Sequence, residues 1–119
     1  MKFTEEHEWL ADNDGTITVG ITKHATEELG DLVFVELPEV GATVAKGDEI
    51  VVIESVKAAS DIIAPLDGEI VEVNAAIVDE PGKVSDDPEG DGWFFKIKPS
   101  DPNQMGEYMD ADAYQKLIG

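Results

Sequence analysis

The sequence contains no cysteine and no arginine. The first absence removes disulfides, thiolate metal sites and a cysteine nucleophile. The second leaves eight lysines as the only strong bases, against 27 acidic residues. Phosphate contacts need a basic patch, so nucleic-acid binding is disfavoured. Anionic membrane surfaces are disfavoured for the same reason. No apolar run is long enough to span a bilayer. The segment Met1-Lys2-Phe3-Thr4-Glu5-Glu6 has neither the apolar core of a signal peptide nor the Arg- and Ser-rich character of a transit peptide. A cytoplasmic protein is the simplest reading; a mature mitochondrial form with its leader removed is the alternative. Only two histidines occur, His7 and His24. They are too few and too scattered for a zinc site and are read as structural, so no metal is expected.

What is present fits one domain of 119 residues with a formal net charge of −19. The acids are not a tail: residues 1–60 hold 13 of them and residues 61–119 hold 14. An acidic surface everywhere favours solubility and partners with basic docking faces. Asp86-Asp87-Pro88-Glu89-Gly90-Asp91 lacks the spacing of an EF-hand and reads as an acidic loop.

Strand signals dominate. Thr16–Ile21 alternates after the turn Asp12-Asn13-Asp14-Gly15. Leu32–Leu37 is stopped by Pro38, and Thr43–Ala45 is short. Glu69–Val73 alternates, and Trp93–Lys98 ends at Pro99. A short helix is expected over 22–30, capped by Thr22 and stopped by Gly30. The segment from about 100 to 118 is helical in character, with Ser100 or Asp101 capping a first helix and Asp110 a second. Gly41-Ala42-Thr43-Val44 loosely resembles Gly68-Glu69-Ile70-Val71, a weak internal duplication. These signs predict a mainly β fold, a sandwich of two small antiparallel sheets.

The most informative residue is Lys57. Ile50-Val51-Val52-Ile53 precedes it and Ile62-Ile63-Ala64-Pro65 follows, so it falls at the tip of a projecting hairpin. The link has no Asn-Gly or Asp-Gly, and a type I turn fits it best. Val56, Ala58 and Ala59 are small, so nothing bulky fences the amine. Such a lysine suits an enzyme that must close around it and attach something to it.

The run Glu54-Ser55-Val56-Lys57-Ala58-Ala59-Ser60-Asp61 resembles the lipoylation motif of the glycine cleavage system H protein family. His7-Glu8-Trp9, Val19-Gly20-Ile21-Thr22, Gly30 to Pro38 and Gly90-Asp91-Gly92-Trp93 resemble further family segments in the same order, over nearly the whole chain. The resemblance implies a lipoyl/biotinyl-type sandwich over residues 1–119, working as a monomer. It implies lipoic acid held as an amide on Lys57 by a lipoate-attaching enzyme. The partners implied are glycine decarboxylase (P protein), aminomethyltransferase (T protein) and dihydrolipoyl dehydrogenase (L protein). It further implies that the carrier catalyses nothing, and that its loaded arm folds back near Glu8 and Asp61. Two departures bear on that arm. Glu6 stands where the family often has Ser, and Ser85-Asp86-Asp87-Pro88-Glu89 stands where it commonly has Asn-x-x-Pro-Tyr.

Other readings stay on the table. A lipoyl module of a 2-oxo acid dehydrogenase would have Asp-Lys-Ala, and a biotin carrier Met-Lys-Met; here the tripeptide is Val56-Lys57-Ala58. An acidic hydrolase could pair Glu8 with Asp61, though no spacing demands it. An H-like protein that donates lipoate to other enzymes would share the same motif.

Overall fold

A computed structural model describes residues 1–119, apart from the side chain of residue 102. Its strands are β1 (Lys2–Phe3), β2 (Glu8–Asn13), β3 (Thr16–Ile21), β4 (Leu32–Glu36), β5 (Thr43–Val44), β6 (Glu49–Ser55), β7 (Ala59–Ile63), β8 (Gly68–Val73) and β9 (Phe95–Pro99). They form two antiparallel sheets: six strands in the order β1-β2-β3-β9-β8-β5, and three in the order β4-β6-β7. The helices are α1 (Lys23–Leu29), α2 (Ala76–Asp79), α3 (Gly82–Asp86), a 3-10 helix (Pro102–Glu107) and α4 (Ala111–Ile118). Among the described residues no helix is long and apolar enough to cross a membrane.

The expected sandwich is therefore present, with unequal sheets. The two segments of the weak duplication meet each other. Thr43 pairs with Glu69 and Val44 with Gly68, and Gly41 N–H donates to the Ile70 carbonyl at 2.7 Å.

Local chemistry explains the elements. β2 and β3 are joined by Asp14-Gly15, with φ of 56° and 90°. Two positive φ values define a type I′ turn, whose twist suits a two-residue hairpin. The Asp12 carboxylate accepts from Gly15 N–H at 2.9 Å and fixes the turn. Thr22 caps α1 by accepting from Ala25 N–H, and Gly30 ends it at φ 78°. Asp101 and Asp110 cap the 3-10 helix and α4 through their side chains.

Four elements depart from the sequence expectation. β2 has buried Glu8, Trp9 and Leu10 in succession, so its start does not alternate. The helices α2 and α3 are too short to show a helical period. The last strand begins at Phe95 and includes Pro99 rather than running from Trp93 to Lys98. The Asn74 side-chain amide donates to the carbonyls of Asp91 and Trp93, each at 2.8 Å, and draws Trp93 out of the ladder.

The interior lies between the sheets. Leu10, Ile17, Val19 and Ile21 from the large sheet meet Val35, Val51, Ile53 and Ile62 from the small one. A second cluster joins the chain ends. Phe3 stacks on Tyr114 at 4.7 Å, Trp9 packs beside them, and Phe3 exchanges backbone hydrogen bonds with Met109. The Trp9 indole donates to the Pro88 carbonyl at 2.9 Å and covers Gly20, its cross-strand partner. A Cβ at Gly20 would lie 2.7 Å from the indole ring. Gly20→Ala should therefore lower the unfolding free energy by about 1–3 kcal/mol, the usual range for overpacking. Urea denaturation checks this; an unchanged midpoint would mean that Trp9 shifts freely.

Candidate functional site

β6 and β7 hold Lys57 at the turn between them. Val51, Ile53 and Ile62 of the hairpin are buried, while Val56, Lys57 and Ala58 are exposed. Ser55 shapes the tip. Its backbone N–H donates to the Ala58 carbonyl at 2.8 Å, and its hydroxyl accepts from Lys57 N–H and Ala58 N–H at 3.1 and 3.0 Å. The hydroxyl thus takes bonds that a backbone carbonyl would otherwise accept. No tip residue has a positive φ, which fits the unprimed turn expected from the sequence. Val56 N–H donates to the Asp31 carbonyl at 3.1 Å, tying the tip to the corner after α1. The Lys57 stem runs past Gly30, where a Cβ would lie 3.5 Å from Lys57 Cε.

Below the tip is a cavity of about 250 Å³. Its apolar wall is Ile21, Ala25, Leu29, Ile53 and Ile62, and its polar groups include Glu6, Glu8 and Asp61. Glu8 and Asp61, far apart in sequence, thus border one space. They are not equivalent: Glu8 is fully buried and Asp61 is exposed. Thr4 braces Glu8, its hydroxyl donating to Oε1 and accepting from Glu8 N–H, both at 3.2 Å. Oε2 has no hydrogen-bond partner among the described residues. Burial pushes the Glu8 carboxyl up to about 8, the Thr4 bond opposes this, and the nearby Glu6 charge adds to it. At neutral pH Glu8 therefore holds a proton in most molecules.

The histidines are scattered in sequence but not in space. Glu8 pairs with Ile21 across the hairpin, and the same register puts His7 beside Thr22, whose N–H donates to the His7 carbonyl at 2.9 Å. His24 follows on the first turn of α1, and the two rings lie 4.8 Å apart. One ring nitrogen of each histidine and one Glu28 carboxylate oxygen all fall within 4.8 Å of one another. His7 and Glu28 also border the cavity. Thr4, Ser55, Glu28 and Tyr114 are participants that sequence reasoning missed. The Asp14-Gly15 turn was the available signal for the histidine pair, because it fixes the register that brings them together. Nothing local announces Tyr114, which reaches the site from the other end of the chain.

Glu8→Gln separates burial from charge. The folded state holds the Glu8 proton more tightly than the unfolded state does. The Glu8 contribution to stability is therefore full below pH 4.5 and is lost as pH rises towards 8. Glutamine resembles the neutral form and escapes that loss. The variant should gain on wild type by up to about 1.4 kcal/mol per pH unit between 4.5 and 8. Thermal unfolding from pH 4 to 9 measures it; a constant difference in Tm would show that Glu8 ionises without penalty.

Comparison with known proteins spans the full length of the chain. The sequence model of the family described as Glycine cleavage H-protein matches residues 1–119. A glycine cleavage system H protein of Dinoroseobacter shibae is 56% identical over 117 residues, covering 98% of this chain and 96% of that one. One from Escherichia coli O7:K1 is 59% identical over 119 residues, covering 99% and 92%. The crystal structure of a glycine cleavage system H protein from Mycobacterium marinum superposes with a TM-score of 0.90 at 46% identity, covering 99% of this chain and 95% of that one. With its sheets, hairpin and full length in agreement, the chain belongs to the glycine cleavage H-protein family and is a lipoyl carrier component of the glycine cleavage system.

Proposed function

We propose that Lys57 is the single lipoyl attachment site, and that through it the chain moves the aminomethyl group of glycine from glycine decarboxylase (P protein) to aminomethyltransferase (T protein). Dihydrolipoyl dehydrogenase (L protein) completes the cycle, and the chain itself, one monomeric domain over 1–119 in the cytoplasm, catalyses no step. The observation that carries this reading is the exposed lysine on a tip of small side chains, hydrogen-bonded to Ser55 and Asp31. Lipoate bound as an amide supplies a disulfide that opens by exchange and a sulfur that can bear a carbon. Lys57 must give up its proton to be acylated, and the tip then loses its cation.

The cavity residues fit the cargo. Asp61 lies four positions along the strand from Lys57, about 13 Å at 3.3 Å per residue. A lysyl stem extended by an acyl chain spans such a distance. The wall of Ile21, Ala25, Leu29, Ile53 and Ile62 suits the apolar part. Asp61 and Glu8 suit an ammonium, and Glu8 Oε2 has an acceptor position unfilled. A cation beside Glu8 favours its ionised form and offsets the burial that otherwise keeps it neutral. The same wall keeps water from the cargo.

Lys57→Arg should fold as wild type and gain no lipoyl mass in a lipoylating host; intact-mass analysis decides, and a modified variant would end the assignment. Glu8→Gln should fold and be lipoylated, yet lose its carbon faster when loaded and kept from T protein. The lifetime of the aminomethylated carrier is the readout, and equal lifetimes would remove Glu8 from the protective site. A lipoylated chain inert with P and T proteins but able to pass lipoate to other acceptors would replace this reading with that of a lipoyl relay.

A further inference from the structure

We propose that His7, His24 and Glu28 form a binding site for a divalent transition-metal ion of borderline softness, Zn²⁺ being the best fit. The inference does not depend on acylation of Lys57. Three ligand atoms of the preferred kind, two imidazole nitrogens and one carboxylate oxygen, already lie within 4.8 Å of one another. Bonds of about 2.0–2.2 Å in a tetrahedral site need those atoms about 3.3 Å apart, which small side-chain rotations supply.

Each ligand is positioned by something other than the ion. His24 and Glu28 stand one turn apart on α1, with Nε2 and Oε1 at 3.0 Å. A metal ion entering there takes the place of the proton that His24 and Glu28 share when the histidine is charged. His7 comes from the bend before β2 and sits at φ 64°, a left-handed backbone that costs free energy for any residue but glycine. Two backbone hydrogen bonds hold it: His7 N–H to the Thr4 carbonyl at 3.1 Å, and Thr22 N–H to the His7 carbonyl. His7 Nδ1 lies 2.8 Å from the Tyr114 hydroxyl, which in turn lies 2.7 Å from Thr22 Oγ1. Ligating histidines commonly give their second ring nitrogen to an oxygen partner, which fixes the tautomer and aims the other nitrogen at the metal. The tautomer with its proton on Nδ1 donates to the Tyr114 hydroxyl and leaves Nε2 for the ion.

The site is reachable. The side chains of His24 and Glu28 are 27% and 63% exposed, leaving access for the ion and for water at a fourth position. Three protein ligands plus water make an open site rather than a closed structural one. A net charge of −19 draws cations to the surface, and imidazole selects Zn²⁺ from among them. His7 and Glu28 also border the cavity below the tip, so the ion would sit at its rim.

The test uses the full-length, metal-free, unlipoylated chain, so that no dithiol can contribute a ligand. Zn²⁺ is titrated calorimetrically in excess Mg²⁺, which occupies weak carboxylate sites. One saturable equivalent per chain is expected. His24→Gln and Glu28→Gln should each weaken it tenfold or more, and Tyr114→Phe should weaken it about tenfold by releasing the His7 ring. The imidazole nitrogen resonances of both histidines should shift together on adding Zn²⁺. Circular dichroism checks that each variant folds; His24 and Glu28 are partly exposed, so these variants keep the test valid if Tyr114→Phe is unstable. Non-saturating binding, or one equivalent untouched by His24→Gln, would overturn the proposal.

Discussion

The inner face of the hairpin β6–β7 is the constraint on which the rest of the structure depends. Val51, Ile53 and Ile62 are buried against the large sheet, and side chains alternate along a strand. A slip of one residue would turn that set to solvent and bring Val52 and Asp61 inward. The register is therefore fixed by the core. With it fixed, Lys57 cannot be anywhere but the tip, and Ser60 and Asp61 cannot be anywhere but along the edge of the cavity. Packing that looks remote from chemistry decides where the chemistry happens.

A second constraint acts through β2. Its first three residues are buried on both faces, because the interior takes Leu10 while the cluster joining the chain ends takes Trp9. Glu8 is carried inward by the same strand, and a carboxyl placed there must either find partners or keep its proton. Thr4 partners one oxygen and leaves the other facing no donor. The result is a carboxyl beside an apolar wall, whose burial favours its protonated form. Asp61 lies at the exposed edge. Two acids that look alike in the sequence thus meet different surroundings.

Much of this was legible beforehand, for identifiable reasons. Strands announce themselves by alternation in the sequence, as Thr16–Ile21 does although residues 17–21 are all buried, and helix ends announce themselves by caps such as Thr22, Asp101 and Asp110. The Lys57 tip was legible because two β-branched runs flank it at close range. Trp93 was misplaced because a side chain, Asn74, competes for its backbone. The histidine pair is hidden in the sequence because the β2–β3 register, not nearness along the chain, brings the two rings within 4.8 Å. Tyr114 was invisible because its partners, Phe3, His7 and Thr22, lie at the opposite end of the sequence.

The meeting of those two ends has a consequence for how the molecule comes together. With Phe3 bonded to Met109 and stacked on Tyr114, the chain is closed into a ring whose seam is noncovalent. Contacts of such long sequence separation carry the largest loop-closure entropy, and they are rewarded only once the intervening chain is ordered. His7 takes its ring orientation from that seam. Its geometry is thus a report on the completed fold: a chain with both sheets formed but the seam open would still bring His7 and His24 together through the β2–β3 register, without the Tyr114 hydroxyl that orients the His7 ring.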